Sequence, residues 1–134
     1  MHEAKAPSLN ILLVSGDRDR ALTALNLAAG ALALGRPAAL FLTWEAVARF
    51  AADRLDEAPL PAFVASPAAA ALAGQPSIAE SLQALRGQGL KLYACAGTLQ
   101  MLGLDATALT ARVDAVAGAA TFLAEAAGGQ IVSL

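Results

Sequence analysis

The segment at residues 9–17 reads LNILLVSGD, and it decides the fold. It begins with a short apolar run and ends in a Ser-Gly-Asp turn. An apolar run of this length without polar alternation is typical of a central strand buried on both faces of a sheet. Asp17 is a suitable N-cap for a helix over residues 18–34, and Gly35 is a suitable C-cap. The chain therefore opens with a strand–helix unit.

The same pattern recurs along the rest of the chain. Further strands are predicted at residues 37–43, 90–95, 112–117 and 130–134, and further helices at residues 43–52, 77–86, 99–102, 104–111 and 118–127. Alternating strands and helices are joined by right-handed crossovers, which gives a mostly parallel sheet between two helical layers. We therefore expect one domain over residues 1–134, a three-layer α/β/α arrangement of the Rossmann or flavodoxin kind with five strands.

Local signals support several of these elements. In the first helix, the residues expected to form the stripe that faces the sheet are Leu22, Leu25, Ala29 and Leu32. Thr43 is the expected N-cap of the second helix. Ser77 and Glu80 have the spacing of a capping box, which predicts the start of the helix over residues 77–86.

Residues 53–76 break the pattern. Charged residues and four prolines surround an alanine-rich turn at residues 68–73, and we predict an irregular insertion. Long irregular segments in a compact domain are usually functional or form an interface. Leu60, Phe63 and Val64 have no predicted element to bury them, and a neighbouring subunit would cover them. We therefore expect a homo-oligomer.

Composition excludes several classes of protein. The formal charge is −2 and no basic block is present, so we expect no nucleic-acid partner. The most apolar stretch, residues 21–35, falls short of the ~20 residues that a membrane span needs. One cysteine cannot form an internal disulfide, and the N-terminus has no apolar signal core. The expected location is the reducing cytoplasm, with no membrane anchor.

Small and polar residues follow each of the first three predicted strands. The carboxyl ends of parallel strands share one edge of the sheet, where ligands bind. The candidate binding residues at this edge are Gly16, Asp17, Trp44, Gly97 and Thr98. Gly97 would let another chain or a sulfur species approach the backbone, and Thr98 is a possible cap for the short helix that follows.

Cys95 is the candidate reactive residue. It ends the third predicted strand and precedes a helix, whose unpaired N–H groups favour a thiolate over a thiol. The alternative is that Cys95 packs as a small buried hydrophobic residue. Because the chain has one cysteine, a dithiol cycle within one molecule is excluded.

Other common kinds of site find little support in the sequence. The only histidine, His2, lies at the terminus, which argues against a Cys–His pair or a histidine-ligated metal. The turn after the first strand lacks both phosphate-binding glycine patterns. We predict neither a metal nor a cofactor.

Residues 94–104 read ACAGTLQMLGL and resemble the cysteine segment of the DsrE/DsrF-like sulfur-relay proteins, which are related to the Tus relay subunits. The first strand with its Gly-Asp turn, residues 34–44 and residues 116–123 are similar to that family in order and spacing. The resemblance implies a small α/β oligomer, often a trimer or hexamer, whose strand-end cysteine accepts sulfane sulfur as a persulfide and passes it to a partner. Cys95 stands at that position.

Three functions remain open at this point. The first is a cytoplasmic sulfur carrier or sulfurtransferase-like protein that uses Cys95 as the nucleophile and exchanges sulfur with donor and acceptor proteins. The second is a non-catalytic oligomeric scaffold or regulatory binding module in which Cys95 only packs. The third, a module that binds a nucleotide or small anion across the strand ends, rests on analogy of fold.

Overall fold

A five-stranded, all-parallel sheet organises the computed structural model, which describes residues 6–134. The strands are β1 (Leu9–Leu13), β2 (Ala38–Leu42), β3 (Lys91–Cys95), β4 (Ala115–Ala117) and β5 (Gln130–Ser133). The helices are α1 (Arg18–Ala33), α2 (Trp44–Ala51), α3 (Ala62–Ala73), α4 (Ile78–Gly87), α5 (Ala96–Met101), α6 (Ala106–Leu109) and α7 (Ala119–Ala126), with a 3₁₀ turn at Leu55–Glu57. The predicted α/β class and five-stranded parallel sheet are confirmed.

The strand order is β4-β3-β2-β1-β5. The chain adds β2, β3 and β4 in one direction from β1 and then returns across the sheet to place β5 on the other side of β1. Because crossovers between parallel strands are right-handed, this reversal places α7 on the opposite face from the earlier helices. Phe122 of α7 stacks on Phe41 of β2, with ring centroids 4.9 Å apart.

Most of the core lies on one face of the sheet. Alternate strand residues such as Ile11, Leu40 and Leu92 are at most 2% exposed there and pack against α1, α2 and α4. On the other face α7 contributes Phe122 and Ala126 as buried residues. The two faces of the sheet are therefore covered unequally, with α7 contributing to one face and several helices to the other.

Helix α1 contacts the sheet through alanines, which corrects the predicted stripe. The buried residues of α1 are Ala21, Ala24, Leu25, Ala28 and Ala31. Of the predicted stripe, Leu22 and Leu32 are half-buried and Ala29 is exposed. The small alanine side chains let the helix axis lie close to the sheet, so the larger leucines move to the flanks of the contact.

The prediction of an irregular segment at residues 53–76 is wrong for its second half. Helix α3 spans Ala62–Ala73 and includes Pro67 in its interior. Alanine has the highest helix propensity, and here it outweighs the proline. The helix has no apolar–polar periodicity because almost every position is apolar, so the pattern that usually reveals a helix was absent.

Two helix starts lack the side-chain cap that the sequence predicts. Asp17 and Thr43 occupy the N-cap positions of α1 and α2, but neither side chain makes a capping hydrogen bond.

The capping box of α4 is confirmed, because the Glu80 N–H donates to Ser77 Oγ. The Asp56 carboxylate adds to this cap by accepting hydrogen bonds from the N–H groups of Ile78 and Ala79.

The starts of α5 and β4 differ from the predicted positions. Helix α5 begins at Ala96, directly after β3, and not at residue 99. Strand β4 has three residues, because the chain before it is held in a turn. There the N–H groups of Arg112 and Val113 both donate to the Leu109 carbonyl.

Candidate functional site

The carboxyl edge of the sheet brings together segments that are distant in sequence. The Trp44 N–H at the start of α2 donates to Thr98 Oγ1 of α5, at 3.4 Å. The Ala46 N–H donates to the Val14 carbonyl after β1, also at 3.4 Å. The turns after β1, β2 and β3 therefore form one connected edge, as the parallel arrangement predicts.

Cys95 is the last residue of β3 and lies half-buried at this edge. Its neighbours Leu92 and Ala94 belong to the core cluster, and strand residues alternate between faces. The Cys95 side chain therefore lies on the face that carries α7. In the sheet register Cys95 is paired with Ala117 of β4.

The chain leaves β3 and β4 toward opposite faces of the sheet. After β3 it continues into α5, whose Leu99 belongs to the core cluster. After β4 it continues through Gly118 into α7, on the other face. Ligands of open α/β sheets bind where neighbouring connections diverge in this way. Cys95 thus lies at the divergence point, which the sequence did not predict because it requires the strand order.

Gly97 leaves the space beside the sulfur open. A β-carbon added to Gly97 would lie 3.9 Å from Cys95 Sγ, an ordinary contact distance. Any larger side chain at this position would extend further into the space around the sulfur. The lack of a side chain therefore contributes directly to access to Cys95.

Thr98 has a different role from the predicted cap. It lies inside α5, is 2% exposed, and makes no capping bond to that helix. Its hydroxyl instead accepts the hydrogen bond from the Trp44 N–H. Because α5 begins at Ala96, Thr98 falls one turn too late to cap it. The hydroxyl connects the β2 turn to the β3 turn.

Trp44 begins α2 in a backbone conformation that is rare for a residue with a side chain. Its φ is +44° and its side chain is 47% exposed. Positive φ in a non-glycine residue costs about 1–3 kcal/mol, so the surrounding contacts must hold it. Trp44 borders the same edge of the sheet as Cys95, one strand away.

Gly16 and Asp17 lie further from the sulfur. Strand β1 is two strands from β3, and neighbouring strands are about 4.8 Å apart. Gly16 is buried beneath Glu45, where a β-carbon would overlap the Glu45 side chain. The Asp17 N–H donates to Ser15 Oγ within its own turn. These residues shape the β1–β2 side of the edge.

Tyr93 lies on the same face as Cys95, two residues earlier in β3. The pKa of the Tyr93 phenol is raised to about 12, mainly by burial and then by the hydrogen bond to Glu125 and the negative charge of that carboxylate. Asp114 contributes a smaller electrostatic effect in the same direction. Tyr93 therefore stays protonated and connects β3 to α7.

Residues 6–134 contain no group of three or more His, Cys, Asp and Glu side chains that could hold a metal ion. His2 lies outside the described residues. Over the same described range, no helix is both long enough and apolar enough to cross a membrane.

The sequence model of the DsrE/DsrF-like family matches residues 10–128 of the chain. Two solved structures share the fold. The protein of unknown function MTH1491 from Methanobacterium thermoautotrophicum is 15% identical, with a TM-score of 0.66 over 96% of this chain and 99% of its own. The conserved protein of unknown function BT1422 from Bacteroides thetaiotaomicron is 18% identical, with a TM-score of 0.61 over 96% of this chain and 95% of its own. No curated protein matches the chain.

Proposed function

Because the chain belongs to the DsrE/DsrF-like family, we propose that it is a sulfur carrier that accepts sulfane sulfur as a persulfide on Cys95. The observation that carries the proposal is the position of this half-buried sulfur at the end of β3, where the chain leaves β3 and β4 toward opposite faces. Cys95 is also the only cysteine of the chain. A carrier needs one reachable sulfur and no second thiol.

The proposed chemistry is a thiol–persulfide exchange. The Cys95 thiolate attacks the outer sulfur of a donor persulfide and forms a new S–S bond, while the donor S–S bond breaks and the donor leaves as a thiolate. An acceptor thiolate then attacks the outer sulfur on Cys95 and releases the Cys95 thiolate. Each transfer conserves the number of S–S bonds, so no external oxidant or reductant is needed.

The surroundings of Cys95 suit this exchange. The absence of a side chain at Gly97 supports room for the second sulfur, because outside the adjoining residues of its own helix only Cys95 Sγ lies within 4 Å of the position that a β-carbon would take. Cys95 is half-buried, so part of the residue is accessible to solvent.

The proposal implies protein partners and a compartment. A persulfide-bearing donor protein and a thiol-bearing acceptor protein must each reach Cys95. We also propose that this chain forms homo-oligomers. A reducing compartment such as the cytoplasm keeps a lone thiol available for exchange.

Intact-protein mass spectrometry after treatment with a persulfide donor tests the proposal. The expected result is a gain of the mass of one sulfur atom, its removal by a small thiol, and no gain in Cys95→Ser. Because Cys95 is the only cysteine, the gain needs no further site assignment. The proposal is contradicted if the mass stays unchanged while iodoacetamide alkylates the same native protein.

A second candidate, a non-catalytic scaffold, is favoured by the exposure of helix α3, which has no buried residue. In that case Cys95→Ser would keep both oligomer size and the cellular activity of the protein. Under the carrier function, Cys95→Ser abolishes sulfur transfer and leaves oligomer size unchanged.

A further inference from the structure

Helix α3 is an apolar element that its own chain leaves uncovered. None of its residues is buried, and Phe63 is 93% exposed. The sequence has no charged residue from residue 58 to residue 79. Soluble proteins rarely expose a continuous apolar surface of this kind unless another molecule covers it.

The two faces of α3 differ in exposure and in shape. Its half-buried residues are Val64, Ala65, Ala68 and Leu72, which share the side turned toward the rest of the chain. The residues of the outward side, at helical spacing, are Phe63, Ser66, Pro67 and Ala70, and all of them are exposed. The outward side therefore carries one large side chain near its start and only small ones after it.

We propose that the outward side of α3 is a contact between two copies of this chain, packed antiparallel about a two-fold axis near Ser66–Pro67. In this arrangement residues whose numbers are equally far from the axis face each other, so Phe63 of each copy lies over Ala70 of the other. Each large ring meets a small residue, and the two contacts are identical. A surface that is complementary to itself in this way is what a two-fold interface requires.

The available area fits a pairwise contact. Twelve residues of helix are about 18 Å long. Two phenylalanine rings bury about 300–500 Å² together, which is about a quarter of the 1,200–2,000 Å² that stable interfaces bury. The other exposed positions of α3, which are uncharged, supply further area without the cost of removing a charge from water.

The charge pattern favours a second copy over a membrane surface. Helices that lie on membranes carry Lys and Arg on a polar face, which attracts anionic headgroups. Residues 58–79 contain neither Lys nor Arg, and α3 has Ser66 as its one polar side chain. The uncharged apolar side of α3 is therefore better suited to contact the same side of a second copy than a layer of anionic headgroups.

This contact is independent of the sulfur chemistry proposed for Cys95. Leu72 of α3 borders a groove lined by Leu25 of α1 and Leu85 of α4, on the helix-rich face of the sheet, whereas the Cys95 side chain lies on the α7 face. A mutation that disrupts the α3 contact is therefore expected to leave sulfur transfer at Cys95 intact. A mutation that abolishes sulfur transfer is expected to leave the α3 contact intact.

Sedimentation velocity of the full chain over a range of concentrations tests the contact. The wild type is expected to form dimers, or larger assemblies with an even number of copies. Phe63→Ser is expected to weaken the association by at least about tenfold. The matched control is Leu123→Ser, which also removes an exposed apolar side chain but lies on α7, and it is expected to associate like the wild type.

A cross-linking experiment tests the geometry directly. In a Cys95→Ser background, Ser66→Cys places one thiol on each side of the proposed axis, so diamide is expected to produce a disulfide-linked dimer. The control Ser133→Cys, at an exposed position on β5, is expected to stay monomeric on a non-reducing gel. Circular dichroism of each variant verifies that it is folded.

Three results would overturn the proposal. One is a wild-type protein that remains monomeric up to about 1 mM. Another is an assembly that Phe63→Ser leaves unchanged, which would assign the contact to a different surface. The third is co-sedimentation with phosphatidylcholine vesicles that Phe63→Ser abolishes, together with a monomeric protein in solution, which would make the occupant a membrane.

Discussion

Cys95 and Tyr93 lie on the same face of β3 but in different surroundings. Cys95 is at the end of the strand, where the chain diverges and where the nearby Gly97 carries no side chain. Tyr93 is in the middle of the strand, where burial and Glu125 raise its phenol pKa. Two residues of separation along β3 thus lead from a side chain that contacts α7 to one at the carboxyl edge of the sheet.

The titration of Tyr93 is a direct test of its contact with α7. It is the only tyrosine of the chain, so the tyrosinate absorbance band reports it alone. In the folded protein the midpoint is expected near 12, and Glu125→Gln is expected to move it toward the ordinary value of 10.0, with the part due to burial remaining. An unchanged midpoint in Glu125→Gln would contradict the contact, and Glu57→Gln serves as control.

The same shift makes stability depend on pH. The folded protein keeps the Tyr93 proton at pH values where the unfolded chain has lost it, so the free energy of unfolding falls as the pH rises from 10.0 to about 12. Below pH 10.0 this contribution is fully present. Urea unfolding at several pH values is expected to show a smaller decrease for Tyr93→Phe than for the wild type.

Substitutions at Gly97 separate helix stability from access to the sulfur. Gly97→Ala is expected to raise the free energy of unfolding by about 0.5–1 kcal/mol, because glycine disfavours helix and the added carbon meets no clash. Gly97→Leu is expected to slow the alkylation of Cys95 by iodoacetamide. Gly30→Ala in α1 is the control, with the same gain in stability and unchanged alkylation. Equal alkylation rates in Gly97→Leu and wild type would mean that the sulfur is approached from another side.

At the scale of elements, Phe122 is the one large buried side chain of α7. Phe122 is 6% exposed and stacks on Phe41, whereas the next residue, Leu123, is 58% exposed. Phe122→Ala is therefore expected to lower the free energy of unfolding by about 3–5 kcal/mol, and Leu123→Ala to change it by less than about 0.5 kcal/mol. Urea denaturation measures both. A small effect of Phe122→Ala would show that other contacts hold α7.

Helices α1 and α3 illustrate what alanine does in this chain. In α1 alanines face the sheet and bring the helix close to it, while in α3 they lie on a helix that the sheet does not cover. Both helices are rich in alanine, so alanine content alone does not distinguish them. Their different surroundings follow from the connections on either side, since α1 joins two neighbouring strands directly and α3 lies within the long connection from β2 to β3.

At the scale of the whole molecule, the proposed sulfur transfer at Cys95 and the proposed contact through α3 use opposite sides of the sheet. The Phe63→Ser variant is expected to dissociate into single copies. It is nevertheless expected to accept sulfur on Cys95 at a rate within about twofold of the wild type. A time course of intact mass after addition of a persulfide donor measures this rate. A loss of sulfur loading in Phe63→Ser would show that the assembled protein completes the site.

The sequence by itself determined the elements and their class. Short apolar runs such as residues 9–14, separated by amphipathic segments and Gly or Asp turns, were sufficient for the strands, for most helices and for the parallel sheet. The capping box at Ser77 was also correct, because capping depends on residues three apart. The resemblance to the DsrE/DsrF-like family, carried by the segment around Cys95 and by residues 34–44 and 116–123, is confirmed by the match over residues 10–128.

Only the tertiary structure decided which residues surround Cys95. The pairing of Cys95 with Ala117 and the departure of α5 and α7 toward opposite faces depend on the strand order, which local sequence does not encode. The same holds for the bond between Thr98 and Trp44 and for the exposure of α3. Local propensity and spacing act over a few residues, whereas these contacts arise from the packing of segments that are up to 54 residues apart.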